Sequence, residues 1–315
     1  MHIPDGFLDA KTAVATGALA AAGLGLALRR ARVTLPPRRV PLLGLAAAFV
    51  FAAQMINFPV AGGTSGHLVG AVLVAVLLGP SAAVVVLSSV LIVQCLMFAD
   101  GGISALGANI LNMGLIGGVG GWAVYRAVSR VIHGLFGRVV AAAFAAWCGT
   151  VVAAVACAGE LAASRTVPFG VALPAMAGIH MLIGVGEGAI TALVLVAIAR
   201  ARPELLQADA AAANRSYGAA TAYGVLVAAG LALFASPLAS RWPDGLDRAA
   251  EILGFKDRAA GPILSAPLAD YSMPWIHWSA LGTSVAGAIG TLVVFVLAWL
   301  LARALVPKAR PRPAP

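Results

Sequence analysis

A histidine at position 2 sets three nitrogens in a row at the head of the chain: the Met1 amine, the His2 backbone amide and the His2 imidazole. An amide joins such a set only after losing its proton, which is costly, and late first-row divalent ions with a strong preference for nitrogen drive that loss. Nickel and copper favour the planar arrangement that results, with cobalt as a third candidate. The fourth corner must come from elsewhere. His67 is the candidate, at the end of a run, residues 59–67, whose glycines let the backbone approach another group closely. Spacing alone leaves a second reading open, in which His2 is an ordinary residue at a frayed terminus.

Five amide side chains, Gln54, Asn57, Gln94, Asn109 and Asn112, fall in the outer halves of apolar segments. Polar groups inside a membrane are expensive and serve function or helix-to-helix glue. A single Asn reads as glue. Five at one depth, with two histidines nearby, point to a polar pocket whose amides orient the His2 and His67 rings and donate to neighbouring backbone. His180 and Glu187, seven apart, share a face of a later segment. His180 reads as a further ligand or as a packing histidine. Glu187 reads as a proton relay or as a carboxyl bonded to backbone or an amide.

The elements that must position these residues are legible in the composition. Of 315 residues 61 % are hydrophobic and only 10 % charged, far below the ~25 % charged of a soluble domain. The apolar runs recur from end to end, giving an all-α polytopic membrane protein. Nine spans are expected, near residues 12–28, 40–58, 67–78, 81–99, 103–125, 139–160, 171–199, 217–235 and 278–302. With the N-terminus outside and the C-terminus cytoplasmic, the basic clusters at 29–39, 126–138, 200–215 and 303–312 all fall inside. The net charge of +9 is thereby an orientation signal, and no nucleic-acid motif accompanies it. Asp5 and Asp9 stand where a cleaved leader would be basic, so the first span is expected to be retained. Cys95, Cys148 and Cys157 lie inside spans and form no paired motif. Residues 1–200 form one module, 201–216 a cytoplasmic linker, and 217–315 a second module with a polar external loop at 236–277. No GxSxG, HExxH or Walker A pattern occurs, so no enzyme is expected.

Three stretches carry a resemblance. Met1-His2-Ile3-Pro4-Asp5-Gly6-Phe7-Leu8, Asn57-Phe58-Pro59 through Gly66-His67-Leu68, and Gly107 through Met113 resemble the CbiM/NikM family over roughly residues 1–200. These are the substrate-specific membrane subunits of energy-coupling-factor cobalt and nickel transporters. Pro243-Asp244-Gly245-Leu246 and Pro267-Leu268-Ala269-Asp270-Tyr271 resemble the small PDGLE subunit usually called NikN, with Asp247 where Glu is usual. The resemblance implies seven helices in the first module and two in the second. It implies a divalent ion held by the Met1 amine, the His2 amide and imidazole, and the His67 imidazole. It also implies a membrane T subunit and ATP-binding A subunits as partners, in a bacterial inner membrane. Nickel is favoured over cobalt as the transported ion. The rival expectation is a gradient-driven secondary carrier using Glu187 and His180 as a proton relay.

Overall fold

The computed structural model describes residues 1–206 and 217–306. Most of the expected linker and the basic tail from residue 307 lie outside the described residues. The chain folds into helices α1 (Ala10–Thr34), α2 (Val40–Gln54), α3 (Ala71–Leu78), α4 (Pro80–Phe98), α5 (Leu106–Asn109), α6 (Gly121–Val128), α7 (Gly134–Ala163), α8 (Phe169–Ala201), α9 (Gly218–Gly230), α10 (Gly245–Leu253) and α11 (Ser279–Leu305). A wide π-type winding, Ile110–Gly120, joins α5 to α6, and another, Leu231–Ala235, continues α9.

Among the described residues, six helices are long and apolar enough to cross a membrane: α1, α4, α7, α8, α11 and the stretch Gly218–Leu238. The other three expected spans are shorter or interrupted. The segment expected at 40–58 stops at Gln54 after 15 residues. The one expected at 67–78 yields only the eight-residue α3, because His67 through Gly70 is loop and Gly79, at φ 97°, breaks the helix before Pro80. The fifth is divided by the π-type winding. Between α2 and α3 the chain makes an unexpected hairpin, β1 (Phe58–Val60) against β2 (Thr64–Gly66), turned by Gly62 and Gly63 at positive φ.

Lipid offers no hydrophobic drive between helices, so close packing of small residues must hold them together. A side chain at Gly107 would place its Cβ 2.4 Å from the Gly17 Cα, so α1 and α5 touch backbone to backbone. A Cβ at Gly149 would lie 2.8 Å from the Gly117 carbonyl, which seats α7 on the π segment. The second module does not stand apart. Helix α11 packs against α2 and α4, with Gly290 against the Phe51 and Phe98 rings. Its loop folds back over the head of the chain, where the amphipathic α10, unforeseen in the loop, rests on α8.

Candidate functional site

The first residues run into the bundle. Met1, Ile3 and Phe7 are 5 %, 0 % and 1 % exposed. The arm is fixed by its own backbone. Ile3 N–H donates to Asn109 Oδ1 at 2.8 Å, and Asn109 Nδ2 donates back to the Ile3 carbonyl at 3.1 Å. Gly102 N–H donates to the same carbonyl at 2.9 Å. Asp5 Oδ1 accepts from the Ser104 amide and hydroxyl at 2.8 and 2.6 Å. Thr166 Oγ1 donates to the Phe7 carbonyl at 2.5 Å. Gly6, at φ 89°, is pressed against the external loop, where a Cβ would meet the Arg258 carbonyl at 2.3 Å.

This path delivers the Met1 amine to 3.0 Å from His67 Nε2. His67 Nδ1 lies 3.2 Å from the Leu68 carbonyl, which fixes the proton on Nδ1 and leaves the Nε2 lone pair facing the amine. The loop carrying His67 is itself held. Glu187 accepts the Val69 and Gly70 amides at 2.5 and 2.9 Å, and Gln54 donates to the Val69 carbonyl at 3.0 Å. The His2 ring stacks on the His67 ring, centroids 5.2 Å apart and planes 21° from parallel. Burial lowers the pKa of both histidines, with the positive charge of the chain terminus adding to the shift at His67 and opposing acids at His2. Both shifts favour the neutral ring, the form that offers a lone pair.

Three groups that were not among the site candidates read from the sequence close the site. Asp244, in the second module, accepts from the Met1 ammonium at 2.8 Å. Burial alone would raise its pKa, but the ammonium beside it holds the carboxyl well below the usual range. Asp100 Oδ1 lies 3.2 Å from His2 Nδ1. Tyr271 donates its hydroxyl to Asp100 Oδ2 at 2.6 Å, with its ring stacked 4.6 Å from Phe98. The signal for Asp244 was present: Pro-Asp-Gly occurs at 4–6 and again at 243–245. The second copy lies along β2, with Ser65 N–H donating to the Pro243 carbonyl at 2.8 Å.

The expected amides divide. Asn109 grips the arm, and Gln94 donates to Gln54 at 2.8 Å and to Tyr271 at 3.4 Å. Asn57 lines a cavity of about 590 Å³ beside His2, His67, Asp100, Asp244 and Tyr271. Asn112 does not join them; it donates to Glu160 at 2.7 Å, a buried acid missed in the sequence. The reason is the π-type winding from Ile110, which turns Asn112 away from the face it would share with Asn109 in a regular α-helix. His180 and Glu187 do not hydrogen-bond each other. His180 Nδ1 is 2.7 Å from the Met176 carbonyl, while both Glu187 oxygens accept backbone amides. Among the described residues no three His, Cys, Asp or Glu side chains cluster as a metal site.

Comparison with known proteins bears on this geometry. Residues 2–205 match the CbiM model, described as a cobalt uptake substrate-specific transmembrane region, and residues 218–306 match the PDGLE domain. A putative fused nickel transport protein NikMN of Archaeoglobus fulgidus is 40 % identical over 96 % of this chain and 98 % of its own length. The fused nickel transport protein NikMN of Rhodobacter capsulatus is 34 % identical, covering 93 % of this chain and 95 % of its own. A solved structure described as a truncated transition metal transporter superposes with a TM-score of 0.58 at 34 % identity, over 64 % of this chain and 99 % of that one. The chain belongs to the CbiM family of substrate-specific membrane proteins, carries a PDGLE domain in the same polypeptide, and is a multi-pass membrane transport protein and not an enzyme.

Proposed function

We propose that this chain captures a divalent transition metal for import, with Ni2+ favoured over Co2+ as the transported substrate. One observation carries the reading: the buried Met1 amine and His67 Nε2 are 3.0 Å apart. Two nitrogens each ~2.0–2.1 Å from one ion and at right angles to each other are ~2.9 Å apart. That is the spacing of neighbouring corners in a planar set. The Met1 amine, the His2 amide and the His2 imidazole would fill three corners. His67 would take the fourth, opposite the amide, beside both the amine and the His2 ring it stacks on. Planar four-nitrogen coordination suits nickel better than cobalt, and the names of the fused relatives point the same way.

Around this set Asn109, Gln94, Gln54, Glu187 and Asp100 position the arm and the His67 loop, while Asn57 lines the approach. Asp244 must release the amine, and Asp100 the His2 Nδ1, when their lone pairs go to the ion. Residues 1–200 serve as the capture module and 217–315 as the module that covers it, joined by 201–216. Uptake is driven by ATP hydrolysed on separate A subunits, coupled through a membrane T subunit in a bacterial inner membrane. The chain crosses nine times with its N-terminus outside, an orientation supported by where the basic clusters fall between the apolar runs of the sequence. The relay reading of Glu187 and His180 finds no support in their hydrogen bonds.

The test is elemental analysis of the purified full-length chain after exposure to equimolar nickel and cobalt. Wild type is expected to retain about one nickel ion per chain, while His2→Ala and His67→Ala retain none and keep the thermal transition of the metal-free protein. Undiminished metal in both variants would overturn the reading.

A further inference from the structure

A second, much smaller cavity lies beside the tip of the arm. It measures about 10 Å³ and is lined by Met1, His67, Val69, Thr150, His180 and Asp244, among others. The volume is room for about one water-sized particle, which is also room for a divalent ion without its hydration shell. His180 is the donor that faces it without an assignment. The ring is 2 % exposed, and its Nδ1 is committed to the Met176 carbonyl. The proton therefore sits on Nδ1, and Nε2 carries the lone pair. Among the described residues that nitrogen makes no hydrogen bond. Its neighbour across the cavity is Gly245 of the second module, where a Cβ would stand 2.9 Å from Nε2 and 2.7 Å from Cε1. A glycine at the head of α10 thus leaves the imidazole its space.

The cavity lies against the tip of the arm. The arm enters the bundle beside Thr166, just before the start of α8 at Phe169, through the hydrogen bond to the Phe7 carbonyl. His180 stands eleven residues farther along α8, ~16 Å along the helix axis from that entry point at 1.5 Å per residue, level with Met1, which lines the same cavity. The cavity touches Met1 and His67 but not His2, and its other walls include Thr150 of α7, Ile183 of α8 and Gly245 of α10. A planar four-nitrogen ion is held on four sides and does not leave by simple dissociation. Its release is eased by a fifth donor approaching along the open axis.

We propose that this cavity is a transit stop of the transported ion beside the capture site, with His180 Nε2 as the donor that draws it off the N-terminal chelate. The step is a ligand exchange: a nitrogen–metal bond forms at His180 as one to the amine or to His67 breaks, with no change in oxidation state. The inference rests on Met1, His2 and His67 being the capture site.

His180→Asn separates the two roles of the ring, because an asparagine amide at this position reaches the Met176 carbonyl as Nδ1 does but offers nothing where Nε2 stood. Two measurements are made with Ni2+ alone as the probe. The first is equilibrium binding to the purified full-length chain, and the second is radiolabelled uptake by cells carrying the assembled transporter. His180→Asn is expected to bind nickel as wild type does, while uptake falls roughly tenfold or more, the scale seen when a residue supporting a metal site is lost. Gly245→Ala, which crowds the imidazole without altering Met1, His2 or His67, is expected to do the same and serves if His180→Asn does not fold. Wild-type uptake in a variant that binds nickel would overturn the transit role. Loss of equilibrium binding in both variants would overturn it too, by making His180 part of the capture site. Failure of the wild-type chain to bind nickel at all would instead refute the capture reading on which the proposal stands.

Discussion

Replacing Asp244 with Asn tests how the second module acts on the head of the chain. The Asp244 carboxylate does two jobs: Oδ2 accepts from the Met1 ammonium at 2.8 Å, and Oδ1 accepts the Asp247 amide at 2.8 Å as the N-cap of α10. Asn caps a helix about as well as Asp, so Asp244→Asn removes the charge and keeps the cap. The ammonium is then buried beside His67 without a counter-charge. Breaking a fully buried pair from one side costs ~3–5 kcal/mol. The Asp244 side chain is 20 % exposed against 3 % for the terminus, so the cost is discounted below that range, to about 2–3 kcal/mol. That loss belongs to the metal-free protein alone. Once the amine coordinates an ion it carries no ammonium charge for Asp244 to balance. The variant should therefore unfold several degrees earlier than wild type in the presence of a chelator, and the gap should close when nickel is added. By linkage, nickel should bind the variant more tightly, by roughly 30- to 100-fold at 1.4 kcal/mol per tenfold. Thermal unfolding in detergent with and without nickel, together with chelator competition, reads both numbers. An equal loss of stability in the two conditions would refute the reasoning, because it would mean that Asp244 does not compete with the ion for the amine.

Asn109→Leu should strip the arm of both side-chain bonds to Ile3 and leave the Ile3 amide buried without a partner, a penalty of ~1–3 kcal/mol. Nickel affinity should fall up to tenfold or so while the bundle stays folded, as read by chelator competition and thermal unfolding. Tyr271→Phe keeps the ring on Phe98 but frees Asp100, at a cost near ~1 kcal/mol for one hydrogen bond. It should speed nickel release a few-fold, measurable by stopped-flow transfer to a chromophoric chelator.

Much of the site was legible because its chemistry is local in the chain. The three nitrogens of Met1 and His2 are consecutive, so the proposed donor set can be read from the first two residues alone. The glycine-bounded His67 and the intramembrane amides are visible as polar breaks in apolar runs. The positions of the long helices follow from apolar length, and Asn109 bonding to the arm agrees with the expected use of amides on backbone. What failed to show were features set by winding or by return of the chain. The face shared by Asn109 and Asn112 assumed regular α geometry, and the π-type stretch Ile110–Gly120 undoes it. The hairpin at Phe58–Gly66 lacks an alternating apolar pattern, so only the Gly62-Gly63 turn announced it.

The sequence by itself determined that the chain is a bundle of membrane helices with nitrogen donors at its head, because residue type and apolar length act locally. The tertiary structure alone decided what those donors meet. Asp244 and Tyr271 lie more than 240 residues from Met1, and their approach depends on α11 packing into α2 and α4 so that the intervening loop folds back over the arm. No local spacing encodes that return. It follows from the close fit of small residues between helices, which is a property of the assembled bundle.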